Sequence, residues 1–225
     1  MRLNTYGVPL KKLIQWMVEK KFPDGVNFWV DLGCGDGSFI SSLNIPIKKG
    51  VGVDVIRNAF CLPKNFKYKK ENVFSWVKEN SNRNNRFQVL SMFELVEHLE
   101  KDKAWELIDV SQKVAPLVIL STPKGFLKQD IETNPEHKNN PYQWHRSGFK
   151  PDELEKEDFL VLILRNVHTR KFGVFDAMIA IKDIESKNNY TSLINFIRKK
   201  SFLYNLHPLH FFRTARQFIK SYIYE

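Results

Sequence analysis

Val30-Asp31-Leu32-Gly33-Cys34-Gly35-Asp36-Gly37-Ser38 is the stretch on which the fold of this chain turns. Phe28-Trp29-Val30 leads into it as an apolar run, and Phe39, Ile40 and Leu43 follow at helical spacing. The pattern predicts a buried strand over residues 27–32, a glycine turn, then a helix. Three glycines at alternate positions free the turn for positive φ and let a ligand approach its backbone N–H groups. Asp36 and Ser38 suit the start of the helix, whose first N–H groups face the same turn. Asp31 falls at the strand end, where a carboxylate can accept hydrogen bonds from a ligand amine. The spacing is G-x-G-x-G, not the G-x-G-x-x-G of dinucleotide-binding turns. A plain tight turn is the other reading of the glycines.

Working outward, Lys49 to Val55 predicts a second strand whose apolar residues end on Asp54, 19 positions after Gly35. An acidic residue about 20 positions on offers two oxygens to the two hydroxyls of a nucleoside ribose. An Asx turn is its other role. Upstream, Leu10 to Lys21 predicts an amphipathic helix stopped by Pro23-Asp24-Gly25. Downstream come a short strand at 66–70, a helix at 73–79 that Asn72 can cap, and a strand at 87–92. A helix at 105–114 and a continuous apolar strand at 115–121 follow. Two apolar, β-branched runs, 159–167 and 172–181, are split by His168-Thr169-Arg170-Lys171 and predict an antiparallel closing pair.

The glycine spacing behind Asp31, with Asp54 at its distance, resembles the opening motifs of class I S-adenosylmethionine (SAM) dependent methyltransferases of the small-molecule subgroup. The resemblance covers about residues 27–182. It implies an α/β, Rossmann-like seven-stranded sheet, mostly parallel with an antiparallel edge and with helices on both faces. It implies methyl transfer from SAM, with Gly33, Gly35 and Gly37 shaping the cofactor bed. Asp31 and Asp54 would take the cofactor's polar groups, and Asn72 would flank its adenine.

Glu94-Leu95-Val96-Glu97-His98-Leu99 and Ser121-Thr122-Pro123 extend the resemblance. The first is similar to the element after strand four in many small-molecule methyltransferases, quinone O-methyltransferases among them. It also resembles the metal-dependent 2′-O-methyltransferases of small-RNA 3′ ends, in which two glutamates and two histidines hold a divalent cation. In a helix, Glu94, Glu97 and His98 would share one face. Tyr142-Gln143-Trp144-His145-Arg146-Ser147-Gly148-Phe149 closes a long polar insertion, where the family tends to bind its acceptor. The resemblance makes His145 the fourth member of the Glu94, Glu97 and His98 group. Two roles follow for it: a divalent metal site, or acid–base chemistry by His98 or His145. The expected acceptor is an oxygen nucleophile on a small molecule, glycan or lipid-linked molecule. A metal-dependent RNA 2′-O-methyltransferase and a non-catalytic SAM- or RNA-binding module are the alternatives. Nicotinamide oxidoreduction fits the sheet but not these elements.

The 225 residues suffice for one α/β core with a small appendage, and 43% hydrophobic content excludes a disordered chain. Cys34 and Cys61 lack metal-type spacing and read as free thiols. No apolar run is long enough to span a bilayer, the first residues lack a signal-peptide core, and a cytoplasmic setting is expected. A net charge of +10 favours acidic partners. The boundary is set at 185: a methyltransferase domain over 1–185, then a basic, aromatic helical extension over 186–225. Phe212, Ala215, Ile219, Tyr222 and Ile223 recur there at helical spacing beside Arg213, Arg216 and Lys220. That pattern suits an anionic membrane surface, with RNA as the second partner class and packing against the sheet as the structural alternative.

Overall fold

A computed structural model describes residues 7–56, 60–81, 87–130, 132–133, 139–170 and 173–184. Helix α1 (Gly7–Lys21) precedes strand β1 (Val26–Leu32), the glycine turn and a single helical turn, α2 (Ser38–Ser41). Then follow β2 (Ile47–Asp54), β3 (Phe66–Lys70), α3 (Val73–Ser81) and β4 (Val89–Phe93). Helix α4 (Lys101–Val114), β5 (Leu117–Pro123), α5 (Pro151–Lys156) and the hairpin β6 (Leu160–Arg170) and β7 (Gly173–Asp183) complete the order.

The seven strands form one sheet in the order β3-β2-β1-β4-β5-β7-β6. β3 to β5 are parallel, and β7 joins β5 and β6 antiparallel. The fold expected from the sequence is thus observed. Alternation along the central strands splits the core between two faces. Val30, Leu32, Val118 and Leu120 pack with Trp76, Leu107, Ile108 and Leu154 of α3, α4 and α5. Trp29, Leu117 and Ile119 pack on the other face with Ile14, Met17 and Val18 of α1. The order reverses between β1 and β4, which opens a crevice at their carboxyl ends.

Three expectations change. The helix after the glycine turn lasts one turn and does not reach Leu43. Gly37 starts it in the left-handed region (φ 79°), and Asn44 and Pro46 follow closely. The closing strands are longer than their apolar runs, because backbone pairing carries the ladder through His168–Phe175 to Arg170–Gly173. Residues 94–98 form no α-helix: Glu94 takes φ 50°, and only Val96–His98 coil, as a 3₁₀ turn. The proposed extension over 186–225 lies outside the described residues.

One ion pair fastens α1 to the last strand. Lys21 Nζ donates to Asp183 Oδ1 at 2.6 Å, with side chains only 10% and 3% exposed. Lys21→Met leaves the Asp183 carboxylate buried without its partner cation, a loss of about 3–5 kcal/mol. A lowered urea midpoint with an unchanged slope checks this; a variant as stable as wild type would show the pair to be dispensable.

Candidate functional site

The chain leaves β1 at Leu32 and is caught at once by β2. The N–H groups of Gly33 and Cys34 both donate to the Val53 carbonyl, at 2.8 and 3.2 Å. Gly33, Gly35 and Gly37 all have positive φ. A Cβ on Gly33 would strike Leu95 and one on Gly37 would strike the Leu62 backbone, whereas one on Gly35 would meet nothing within 4 Å. Two of the glycines are therefore required by packing, and the third faces open space. The Cys34 thiol is buried beneath the turn, and burial, with Asp31 and Asp54 nearby, pushes its pKa up.

Asp54 ends β2 with its carboxylate folded back on this turn. One oxygen accepts the Gly35 N–H at 2.9 Å and the other accepts the Ile56 N–H at 2.9 Å. The Asx role considered from sequence is thus present. Each oxygen has a further lone pair, so the role leaves capacity for a ligand.

Asp31 is 3% exposed at the end of β1. Its Oδ1 accepts the Ser91 hydroxyl at 2.6 Å, and the Ser91 oxygen in turn accepts the Trp29 indole N–H at 2.8 Å. Burial pushes the Asp31 pKa up to about 7; the Ser91 hydrogen bond pulls it down and the Asp54 charge adds a smaller rise. Sequence reasoning missed Ser91, although a lone hydroxyl inside the apolar run Val89-Leu90-Ser91-Met92 was its signal. Asn72 is exposed, and its side-chain oxygen accepts the Phe74 N–H at 2.9 Å, capping α3.

Across the sheet, ligand atoms of Glu97, His98 and His145 lie within 4.8 Å of one another. The imidazole centroids are 4.9 Å apart, edge to face. His98 Nδ1 is 3.2 Å from the Trp144 carbonyl, and His145 Nδ1 is 2.6 Å from the Leu127 carbonyl. A carbonyl only accepts, so each Nδ1 carries a proton, and in the neutral form of each ring the lone pair is on Nε2. The insertion is pinned to the 3₁₀ turn. Arg146 and Ser147 N–H donate to the Glu97 carbonyl, the Ser147 hydroxyl donates to the Val96 carbonyl, and the Arg146 guanidinium donates to the His98 carbonyl. The buried Gln129 side chain holds the Gln143 carbonyl, while its own carbonyl takes the His145 N–H. Glu94 is not in this group. Its carboxylate accepts the Ser121 hydroxyl at 3.0 Å and its N–H donates to the Ser121 carbonyl. The left-handed kink at Glu94 breaks the helical face on which its inclusion rested.

Solved structures match this fold. N-methyltransferase NodS from Bradyrhizobium japonicum WM9, in complex with S-adenosyl-L-homocysteine, superposes with a TM-score of 0.56 at 12% identity, over 80% of this chain and 88% of that one. A SAM-dependent methyltransferase from Archaeoglobus fulgidus gives 0.50 at 17% identity, over 76% and 94%. The fold is that of the SAM-dependent methyltransferases. Small RNA methyltransferase HEN1 gives 0.50 at 20% identity over 78% of this chain, which spans a quarter of the HEN1 chain. No family model and no curated protein sequence matches the chain.

The buried carboxyl sets a pH dependence. Unfolded, Asp31 loses its proton near its ordinary value of 3.8; folded and without ligand, it holds it to about 7. The folded state therefore binds more protons in between, and stability falls as pH rises through that window. Ligand-free wild type is expected to lose several degrees of Tm between about pH 5 and pH 8 relative to Asp31→Asn, which can keep the Ser91 hydrogen bond. Parallel pH profiles for the two proteins would contradict this assignment.

Proposed function

We propose that this chain transfers the methyl group of SAM to an oxygen nucleophile. The observation that carries the reading is the pairing of Asp31 and Asp54 at the carboxyl ends of adjacent parallel strands, beside a turn that opens over Gly35. The fold shared with NodS, solved with S-adenosyl-L-homocysteine, supports the same cofactor class. SAM supplies a methyl group made electrophilic by its sulfonium. Asp54 can accept both ribose hydroxyls on its remaining lone pairs. Asp31 ionises when a ligand ammonium approaches, since an adjacent cation offsets the burial that otherwise keeps it protonated. The buried walls of the crevice hold the reactants in line and keep water out.

On the acceptor side, the Nε2 atoms of His98 and His145 can take a proton from a hydroxyl group. Glu97, His98 and His145 would also hold a divalent cation, which supplies Lewis-acid polarisation of a bound hydroxyl. The donor set fits: one carboxylate and two imidazoles, each imidazole donating its Nδ1–H to a carbonyl that fixes ring and tautomer. A small-molecule, glycan or lipid-linked hydroxyl is the first acceptor reading. The cluster, with the HEN1 likeness, favours a second: the 2′-hydroxyl of an RNA end.

Calorimetry with SAM and with NAD tests the cofactor. SAM should bind, and Asp54→Ala should weaken it by about 1.5–3 kcal/mol, roughly 10- to 100-fold. NAD binding in place of SAM would overturn the reading. His98→Ala and His145→Ala should abolish methyl transfer from labelled SAM to fractionated cell extract while leaving SAM binding intact. Loss of transfer on chelation, restored by a divalent ion, selects the metal role; transfer indifferent to chelation selects acid–base chemistry alone. Normal transfer by both histidine variants would remove the acceptor site from this cluster.

A further inference from the structure

The positive charge of this chain is not spread evenly. Between Ile47 and Glu71 the sequence holds seven basic residues and two acidic ones, so these 25 positions account for half of the net charge of +10. Six are lysines of the described structure: Lys48 and Lys49 on β2, Lys64 before β3, and Lys67, Lys69 and Lys70 on β3, all exposed. Among the described residues none of these six pairs with a carboxylate. Lys21, Lys78, Lys101, Lys103, Lys124, Lys128 and Lys156 each do. Of the two acids in this stretch, Asp54 is committed to the Gly35 and Ile56 N–H groups, and Glu71 pairs with none of the six among the described residues.

β3 is the edge of the sheet. Lys67 and Lys69 are on one face, about 6.7 Å apart along the strand, and Lys70 is on the other. Lys69 and Lys70 lie beside Val53 and Asp54, at the rim that holds the glycine turn. Phe60 stands in the same region, 85% exposed, and the N–H of the next residue, Cys61, donates to the Asp36 carbonyl of that turn. Lysines at an edge also discourage pairing with another sheet. Lys48 and Lys49 are on β2 ahead of the stretch that β3 pairs, and Lys64 precedes β3, so the cations extend beyond the edge strand itself.

We propose that this lysine ridge, with Phe60 at its upper end, binds single-stranded RNA and leads it to the crevice. Unpaired cations on both faces of an edge suit a flexible chain of phosphates that can wrap it. A single exposed aromatic ring beside them suits base stacking. A bilayer would need an apolar face to insert, and β2 and β3 turn their large apolar residues inward. As a guide for the methyl acceptor the ridge rests on the proposed methyltransferase activity; as a binding surface it does not.

The test is fluorescence anisotropy of the full chain with a labelled single-stranded RNA about 12 nucleotides long, between about 50 and 200 mM salt. The variant Lys64→Gln/Lys67→Gln/Lys69→Gln breaks no ion pair among the described residues. It should bind at least about tenfold more weakly and reduce the log–log salt slope by about 2. Phe60→Ala should weaken binding without changing the slope. Lys103→Gln/Lys128→Gln/Lys156→Gln, away from the ridge, should bind like wild type. SAM calorimetry should be the same in all of them. No SAM binding by any form would overturn the methyltransferase activity and leave the ridge standing. The ridge is overturned if wild type does not bind RNA, if the ridge variant binds as wild type does, or if the control variant loses as much. It is also overturned if the ridge variant only self-associates, or only loses flotation with phosphatidylserine vesicles, while its RNA affinity is unchanged.

Discussion

Two amide N–H groups, from Gly33 and Cys34, share the carbonyl of Val53, and the crevice of this protein depends on that convergence. It bends the chain out of β1 and binds it to the end of β2 before any helix has begun. A third N–H, from Gly35, reaches the Asp54 carboxylate. Such a tight sequence of donors needs left-handed backbone at alternate positions, which only glycine adopts without strain. Leu95 and Leu62 then press against Gly33 and Gly37, so the turn is held from both sides. What remains over Gly35 is space, bordered by two carboxylates from neighbouring strands.

The same region shows how buried polar groups are kept in order. Asp31 sits in the core at the cost of holding its proton to about pH 7. The Trp29–Ser91–Asp31 chain of hydrogen bonds ties β1 to β4 across the point where the sheet order reverses. Below about pH 7 the carboxyl stays neutral, which costs the core less than a buried carboxylate would. Around the two histidines the organising groups are backbone carbonyls. Those of Leu127 and Trp144 set the tautomers of the two histidines, and those of Val96, Glu97 and His98 anchor the insertion that supplies one of them.

These two halves of the crevice have different origins in the chain. The glycine-turn side is framed by residues 31–54, a strand end, a turn and the next strand, joined by backbone bonds, with Leu62, Ser91 and Leu95 packed on it. The histidine side joins residue 97 to residue 145 across α4, β5 and a long polar insertion. A change of insertion can therefore alter the histidine half without disturbing the glycine turn beneath it.

The sequence by itself determined the sheet, its two faces, the glycine turn and the positions of Asp31 and Asp54. Each is written in local terms: period-two burial, glycine spacing, and an acid at the end of an apolar run. It also pointed to Glu97, His98 and His145, through resemblance to a family pattern. Tertiary structure decided what local pattern cannot express. Glu94 left the histidine group because a kink and a bond to Ser121, 27 residues away, outweighed the helical spacing. Ser91 reached the Asp31 carboxyl because parallel pairing set it opposite that residue. The histidine tautomers were legible nowhere in the sequence, since they are set by carbonyls 18 and 46 residues away, which only the packed insertion brings to the rings.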